Sequence, residues 1–196
     1  MTLYSFARGM FRLQFKVMGW KIRGVENLPS EGPVILAINH VSLWDPIVAA
    51  CSISRPVAFM AKEELFRVPF LGPIVRRLGA FPVKRGQGDT SAIRQSLKVL
   101  KEGRVLGLFP EGTRSKTGEL QKGLPGAALL MDKGKATVLP IRVSGTKQLL
   151  TKGWGKLEVV MGEPLTSERM KTPEGVEDRR EWLTEQIMKA LASLDD

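Results

Sequence analysis

The chain alternates short apolar runs with longer segments of helical period. Pro33-Val34-Ile35-Leu36-Ala37-Ile38 is apolar throughout, the pattern of a strand buried on both faces. Val57–Ala61, Phe81–Val83, residues 104–109, Thr137–Val143 and Leu157–Met161 are further strand-like runs. Between them lie helical candidates. One follows Pro46 through Cys51 and is broken by Arg55-Pro56. Residues 63–79 are apolar but interrupted by Pro69, Gly72 and Pro73, which predicts short helical pieces rather than one helix. Asp89 and Thr90 offer an N-cap for a helix through Lys101, with Ile93, Leu97 and Leu100 as its apolar face and Gly103 as its stop. Ala127–Met131 forms the core of a short helix ending near Gly134, and a closing helix runs from about Val176 to Leu194. Strands alternating with helices predict a single α/β domain with a largely parallel sheet.

Residues 3–20 have a different character. At about 100° per residue, Ser5, Arg8, Gly9, Arg12, Lys16 and Gly19 fall on one side of a helix, and Leu3, Phe6, Met10, Leu13 and Val17 on the other. Tyr4, Phe11, Phe15 and Met18 widen the apolar arc. The polar stripe holds bases and no acid. This predicts an amphipathic helix lying in a membrane interface, apolar side in the acyl chains and bases near lipid phosphates. The competing expectation is a helix packed on the domain.

Composition narrows the chemistry. Among 196 residues, 43% are hydrophobic, and 30 Lys and Arg stand against 20 Asp and Glu, a formal charge of +10. Such a balance favours anionic partners: nucleic acid, an anionic membrane surface or phosphorylated substrates. The bases are dispersed and lack a repeating aromatic platform, which argues against nucleic acid. No apolar run reaches the ~18 residues of a spanning helix, and the first 20 residues do not read as a signal peptide. One Cys and one His exclude an internal disulfide framework and make a zinc site a poor fit, so no metal is expected. Cys51 lies in an apolar run and reads as core rather than as a nucleophile.

The single histidine, His40, stands just past the first buried run, in Asn39-His40-Val41-Ser42-Leu43-Trp44-Asp45-Pro46. In open α/β sheets, strand ends are where ligands bind. Five residues apart, His40 and Asp45 cannot share one helix face. Asp45-Pro46 instead suggests an aspartate N-cap with proline as the first helical residue. Residues 39–45 would then form a loop that folds His40 back toward Asp45, leaving one ring nitrogen as a base. A capped helix beside a surface histidine satisfies the same residues. A second block, Phe109-Pro110-Glu111-Gly112-Thr113-Arg114-Ser115, follows the run Val105-Leu106-Gly107-Leu108.

Together the two blocks resemble the glycerophospholipid acyltransferase family, whose signature is Asn-His-x4-Asp followed by Phe-Pro-Glu-Gly-Thr-Arg. Ala80–Gly86, Val138–Ile141 and Ala61–Phe66 with Pro69 and Gly72 resemble weaker blocks of that family, so the likeness runs from about Gly24 to Gly162. It implies a mostly parallel twisted sheet flanked by helices. With the N-terminal pattern, it divides the chain into a membrane-interface helix in residues 1–23 and an acyltransferase domain in 24–196. It implies His40 as general base and Asp45 as its orienting acid. It implies an acceptor clamp of Glu111, Gly112, Thr113 and Arg114, with Arg114 on phosphate and Lys62 and Arg85 as further phosphate contacts. Relatives often carry an acid before the arginine matching Arg85. Here that residue is Lys84, which leaves no carboxylate for such a role. The implied reaction moves a fatty acyl group from coenzyme A or acyl-carrier protein to lysophosphatidic acid, giving phosphatidic acid without a cofactor. Glycerol-3-phosphate or another lysolipid is the alternative acceptor. The expected location is peripheral or monotopic on the cytoplasmic face of the cell membrane.

Overall fold

The computed structural model describes residues 3–83, 90–149 and 157–195. Their strands are β1 (Lys21–Arg23), β2 (Val34–Ile38), β3 (Val57–Lys62), β4 (Phe81–Val83), β5 (Val105–Leu108), β6 (Thr137–Ser144) and β7 (Glu158–Met161). They form one sheet in the order β1-β7-β6-β2-β5-β3-β4. Neighbours pair in parallel, except β6 with β7. The helices are α1 (Leu3–Val17), α2 (Asp45–Ser52), α3 (Leu71–Arg77), α4 (Thr90–Lys101), α5 (Gly126–Gly134) and α6 (Arg179–Ala192).

β2 lies at the centre, flanked by β5 and β6. Its unbroken apolar run has a direct cause, since both its faces are covered. Val34, Leu36 and Ile38 pack with Phe15 of α1 and with Val48, Ala49 and Cys51 of α2. Ile35 and Ala37 pack on the other face with Leu100 of α4, Leu130 and Met131 of α5, and Leu183 and Ile187 of α6. The chain therefore leaves β2 toward one face and β5 toward the other. The loops at the carboxyl ends of these strands lie where an open α/β sheet places its ligands.

Three boundaries differ from the sequence expectation. The first helix ends at Val17 rather than near residue 20, because Gly19 turns the chain with φ +80°. Lys21–Arg23 then adds a strand that the apolar pattern does not reveal. β1 joins the sheet edge through backbone pairing with β7, and its side chains are mostly exposed. The closing helix starts at Arg179 rather than Val176, where the Asp178 carboxylate accepts the Arg180 and Glu181 amide hydrogens. Residues 63–79 do break into a 3-10 turn at Glu63–Arg67 and the short α3. The proposed Asp89 cap lies outside the described residues.

The orientation of α1 reverses part of the expectation. Arg8 donates to the Ile53 and Ser54 carbonyls, and Arg12 donates to Cys51 O at 3.1 Å. Two bases of the polar stripe thus satisfy carbonyls at and just past the C-terminal end of α2, where cations suit the helix dipole. Phe15 is buried, Phe11 meets Trp44 edge-on at 6.1 Å, and Tyr4 Oη accepts the Val57 amide hydrogen. Leu3, Phe6, Met10, Leu13 and Val17 are left exposed, Leu13 at 66%. Among the described residues, no helix is long and apolar enough to cross a membrane.

Candidate active site

Three adjacent parallel strands deliver the site. His40 lies just past β2, Phe109 and Glu111 just past β5, and Thr146 just past β6. The histidine block is pinned to β6 by Asn39, whose amide nitrogen donates to Val143 O at 3.0 Å and whose oxygen accepts the Val143 amide hydrogen at 2.7 Å. This pairing continues the ladder one step beyond the strand and fixes where His40 begins.

The loop then folds His40 back toward Asp45. His40 Nδ1 stands 3.0 Å from Asp45 Oδ2, and Asp45 is fully buried. Oδ2 also accepts the Val41 and Ser42 amide hydrogens, each at 2.7 Å, and Oδ1 accepts the Thr146 hydroxyl at 2.6 Å. Among the described residues, four donors converge on this carboxylate. Because Oδ2 already takes two amide hydrogens, the proton it shares with the imidazole belongs on Nδ1. Nε2 is left as the basic nitrogen. The expected capping role is not what the structure shows. α2 begins at Asp45 itself, the N-cap position is Trp44, and the carboxylate turns back into the loop. Tight turns upstream compete for the same oxygens and win them.

The imidazole is held from its flat side as well. Phe109 stacks on it with centroids 3.9 Å apart and planes at 19°. Phe59 stacks in turn on Phe109 at 6.3 Å. Gly107 in β5 makes room for this stack, since a Cβ there would lie 2.2 Å from the Phe59 ring. Phe59, Phe109 and His40 thus form a column whose base requires glycine.

Glu111 is buried, and its carboxylate serves backbone. Oε1 accepts the His40 amide hydrogen at 2.8 Å, and Oε2 accepts from Gln121 N at 3.0 Å and Gln121 Nε2 at 3.3 Å. Ser115 N donates to His40 O at 2.7 Å. The two blocks are therefore stitched at both polar groups of the His40 backbone. Gly112 takes φ +70°, and a Cβ on it would meet Leu124 Cδ1 at 2.5 Å. Its freedom serves the turn and the packing of Leu124.

The structure thus brings His40, Asp45 and Glu111 together. Gly112, Thr113 and Arg114 follow on the same loop, with Thr113 and Arg114 exposed. Lys62 is exposed at the end of β3. Arg85 lies outside the described residues. Thr146 and Gln121 were not singled out by sequence. Thr146 had a usable signal, since it follows a buried strand just as His40 and Glu111 do. Cys51 is 2% exposed, and burial pushes its thiol up to about 11 against the pull of Arg8 and Arg12. Such a thiol stays protonated and is a poor nucleophile.

Comparisons with known proteins identify the family. The family model described as Acyltransferase matches residues 19–144. A 1-acyl-sn-glycerol-3-phosphate acyltransferase of Bacillus subtilis is 33% identical over 169 residues, covering 83% of this chain and 82% of the relative. The protein of the same description from Borreliella burgdorferi is 30% identical over 149 residues, covering 74% of this chain but 60% of the relative. The crystal structure of the 1-acyl-sn-glycerophosphate (LPA) acyltransferase PlsC from Thermotoga maritima superposes with a TM-score of 0.72 at 25% identity, covering 98% of this chain and 80% of that one. On a family match across most of its length and on these relatives, the chain belongs to the acyltransferase family.

Proposed function

We propose that the protein is a 1-acylglycerol-3-phosphate O-acyltransferase, which moves a fatty acyl group from a thioester to the sn-2 hydroxyl of lysophosphatidic acid. The observation that carries this reading is the buried His40–Asp45 pair, 3.0 Å apart, at the end of the central strand. The names of the relatives supply the acceptor.

The chemistry needs few parts. His40 Nε2 takes the proton of the attacking hydroxyl while its oxygen bonds to the thioester carbonyl carbon. The C–S bond then breaks, and the proton passes from the imidazolium to the departing thiolate. Asp45 holds the tautomer and stabilises the imidazolium. A thioester is already activated, so no covalent enzyme intermediate is required.

Arg114, exposed beside the histidine-bonded Ser115, is the candidate for the acceptor phosphate, where a guanidinium offers paired donors. Lys62 and Arg85 are the further candidates for contact with that phosphate. Glu111, Gly112 and Thr113 shape the loop that presents Arg114. Coenzyme A or acyl-carrier protein supplies the thioester, and no cofactor takes part. The outward apolar residues of α1 rest in the interface of an anionic membrane, on the cytoplasmic side, without crossing. The experiment is the purified protein with lysophosphatidic acid, glycerol-3-phosphate and other lysolipids, each with both donor types, and products read by mass spectrometry. Phosphatidic acid should dominate. Acylation of glycerol-3-phosphate in its place would overturn the acceptor assignment.

A further inference from the structure

We infer that Thr146 is a positioning residue of the acyl-transfer site and acts on His40 through Asp45; this rests on His40 being the general base. Thr146 is 1% exposed, and its hydroxyl donates to Asp45 Oδ1 at 2.6 Å across 101 residues of chain. The other three donors to this carboxylate, His40 Nδ1, Val41 N and Ser42 N, all lie on Oδ2. The described donor to Oδ1 is thus Thr146, so that hydroxyl sets the plane of the carboxylate and hence the line from Oδ2 to Nδ1.

Thr146 is itself firmly held. It follows β6, turned by Gly145 at φ +80°. Asn39 clamps Val143 twice, and Ser42 Oγ donates to Thr146 O at 3.3 Å. The branched side chain restricts χ1, which keeps the hydroxyl aimed. A buried hydroxyl spent on a buried carboxylate does more than pack, because valine fills the same space.

The hydroxyl also tempers Asp45. Without it, charge on the carboxylate loses a donor, and Oδ2 holds the Nδ1 proton more strongly. The imidazolium then becomes harder to deprotonate. The other carboxylate facing His40 is Glu111, which meets its backbone amide rather than its ring. The ring's flat neighbour is Phe109. Neither changes with Thr146.

His40 is the sole histidine, so its imidazole proton signals need no assignment. Thr146→Val, Thr146→Ala and Thr146→Ser in the full chain are compared by proton NMR titration and by the pH profile of transfer to lysophosphatidic acid. In Thr146→Val, kcat should fall about 10- to 100-fold, as for loss of an outer orienting partner, with KM for the acceptor little changed. The imidazole titration and the acid limb of the rate profile should both move to higher pH. Thr146→Ser should restore both, and Thr146→Ala should repeat the loss if the valine variant does not fold. A titration that stays put or moves down, or a serine variant as impaired as the valine one, overturns the inference. His40→Ala with the parental rate, beside a shifted titration in Thr146→Val, would instead refute the base assignment and leave the contact intact.

Discussion

Glu111 Oε1 accepts the amide hydrogen of His40 at 2.8 Å, although 71 residues separate the two. This bond ties the loop after β5 to the loop after β2. It explains why an acid stands at this point of the second block. With Oε2 engaged by Gln121, the carboxylate is occupied by the protein itself.

The consequence is testable with Glu111→Gln. The side-chain amide would set an N–H against a backbone N–H, a buried mismatch worth about 1–3 kcal/mol. The unfolding free energy read from thermal melting should fall by that amount. kcat should fall to the same degree for phosphorylated and phosphate-free acceptors. A selective rise in KM for the phosphorylated acceptor would mean that Glu111 meets substrate.

Arg114 should behave in the opposite way. It is exposed, and its replacement leaves the histidine loop alone. Arg114→Ala should raise KM for lysophosphatidic acid about tenfold or more, as expected for ~1.5–3 kcal/mol of charge-assisted bonding, with melting unchanged. Equal weakening toward a phosphate-free lysolipid would show that another residue reads the phosphate.

Much of this arrangement was legible in the chain. The apolar run 33–38 announced the central strand, and the five-residue spacing of His40 and Asp45 excluded their pairing along one helix face. The rest was not legible for physical reasons. β1 is held by backbone pairing at the sheet edge, which leaves no side-chain period. The Asp45 cap was a sound local reading, overridden by donors from Val41, Ser42 and Thr146. The bonds of Glu111 to His40 N and Gln121 join separate loops, and a contact across 71 residues leaves no local sequence signal. The bonds of Arg8 and Arg12 to the end of α2 were not legible, since periodicity defines two sides of a helix without saying which side packs. In the apolar stretch 63–79, Phe66 is buried with Arg76 5.1 Å above its ring, whereas Phe70 is 88% exposed; an apolar stretch does not say which of its members pack.

The orientation of α1 sets the membrane test. Deleting residues 1–20 would also remove Phe15 and the bonds of Arg8 and Arg12 to the end of α2, so point changes are cleaner. Phe6→Ser with Leu13→Ser removes two exposed apolar groups, 57% and 66% exposed, without touching those contacts. At roughly 25 cal/mol per Å² of buried apolar area, sedimentation with anionic vesicles should weaken by about tenfold or more, with melting unchanged. Arg8→Ala should instead lower stability and leave vesicle binding nearly intact. Undiminished sedimentation of the double variant would place the dock elsewhere, most directly on the exposed Leu65, Phe70 and Ile74 surface.

The central claim is that His40 takes the proton of the acceptor hydroxyl. The direct measurement is the rate of acyl transfer from a defined thioester to lysophosphatidic acid by His40→Ala, beside the parent protein and with folding checked by circular dichroism. Loss of a general base predicts a fall of about 10²- to 10⁴-fold, with the melting transition retained. A folded His40→Ala protein that transfers acyl groups at nearly the parental rate would contradict the account.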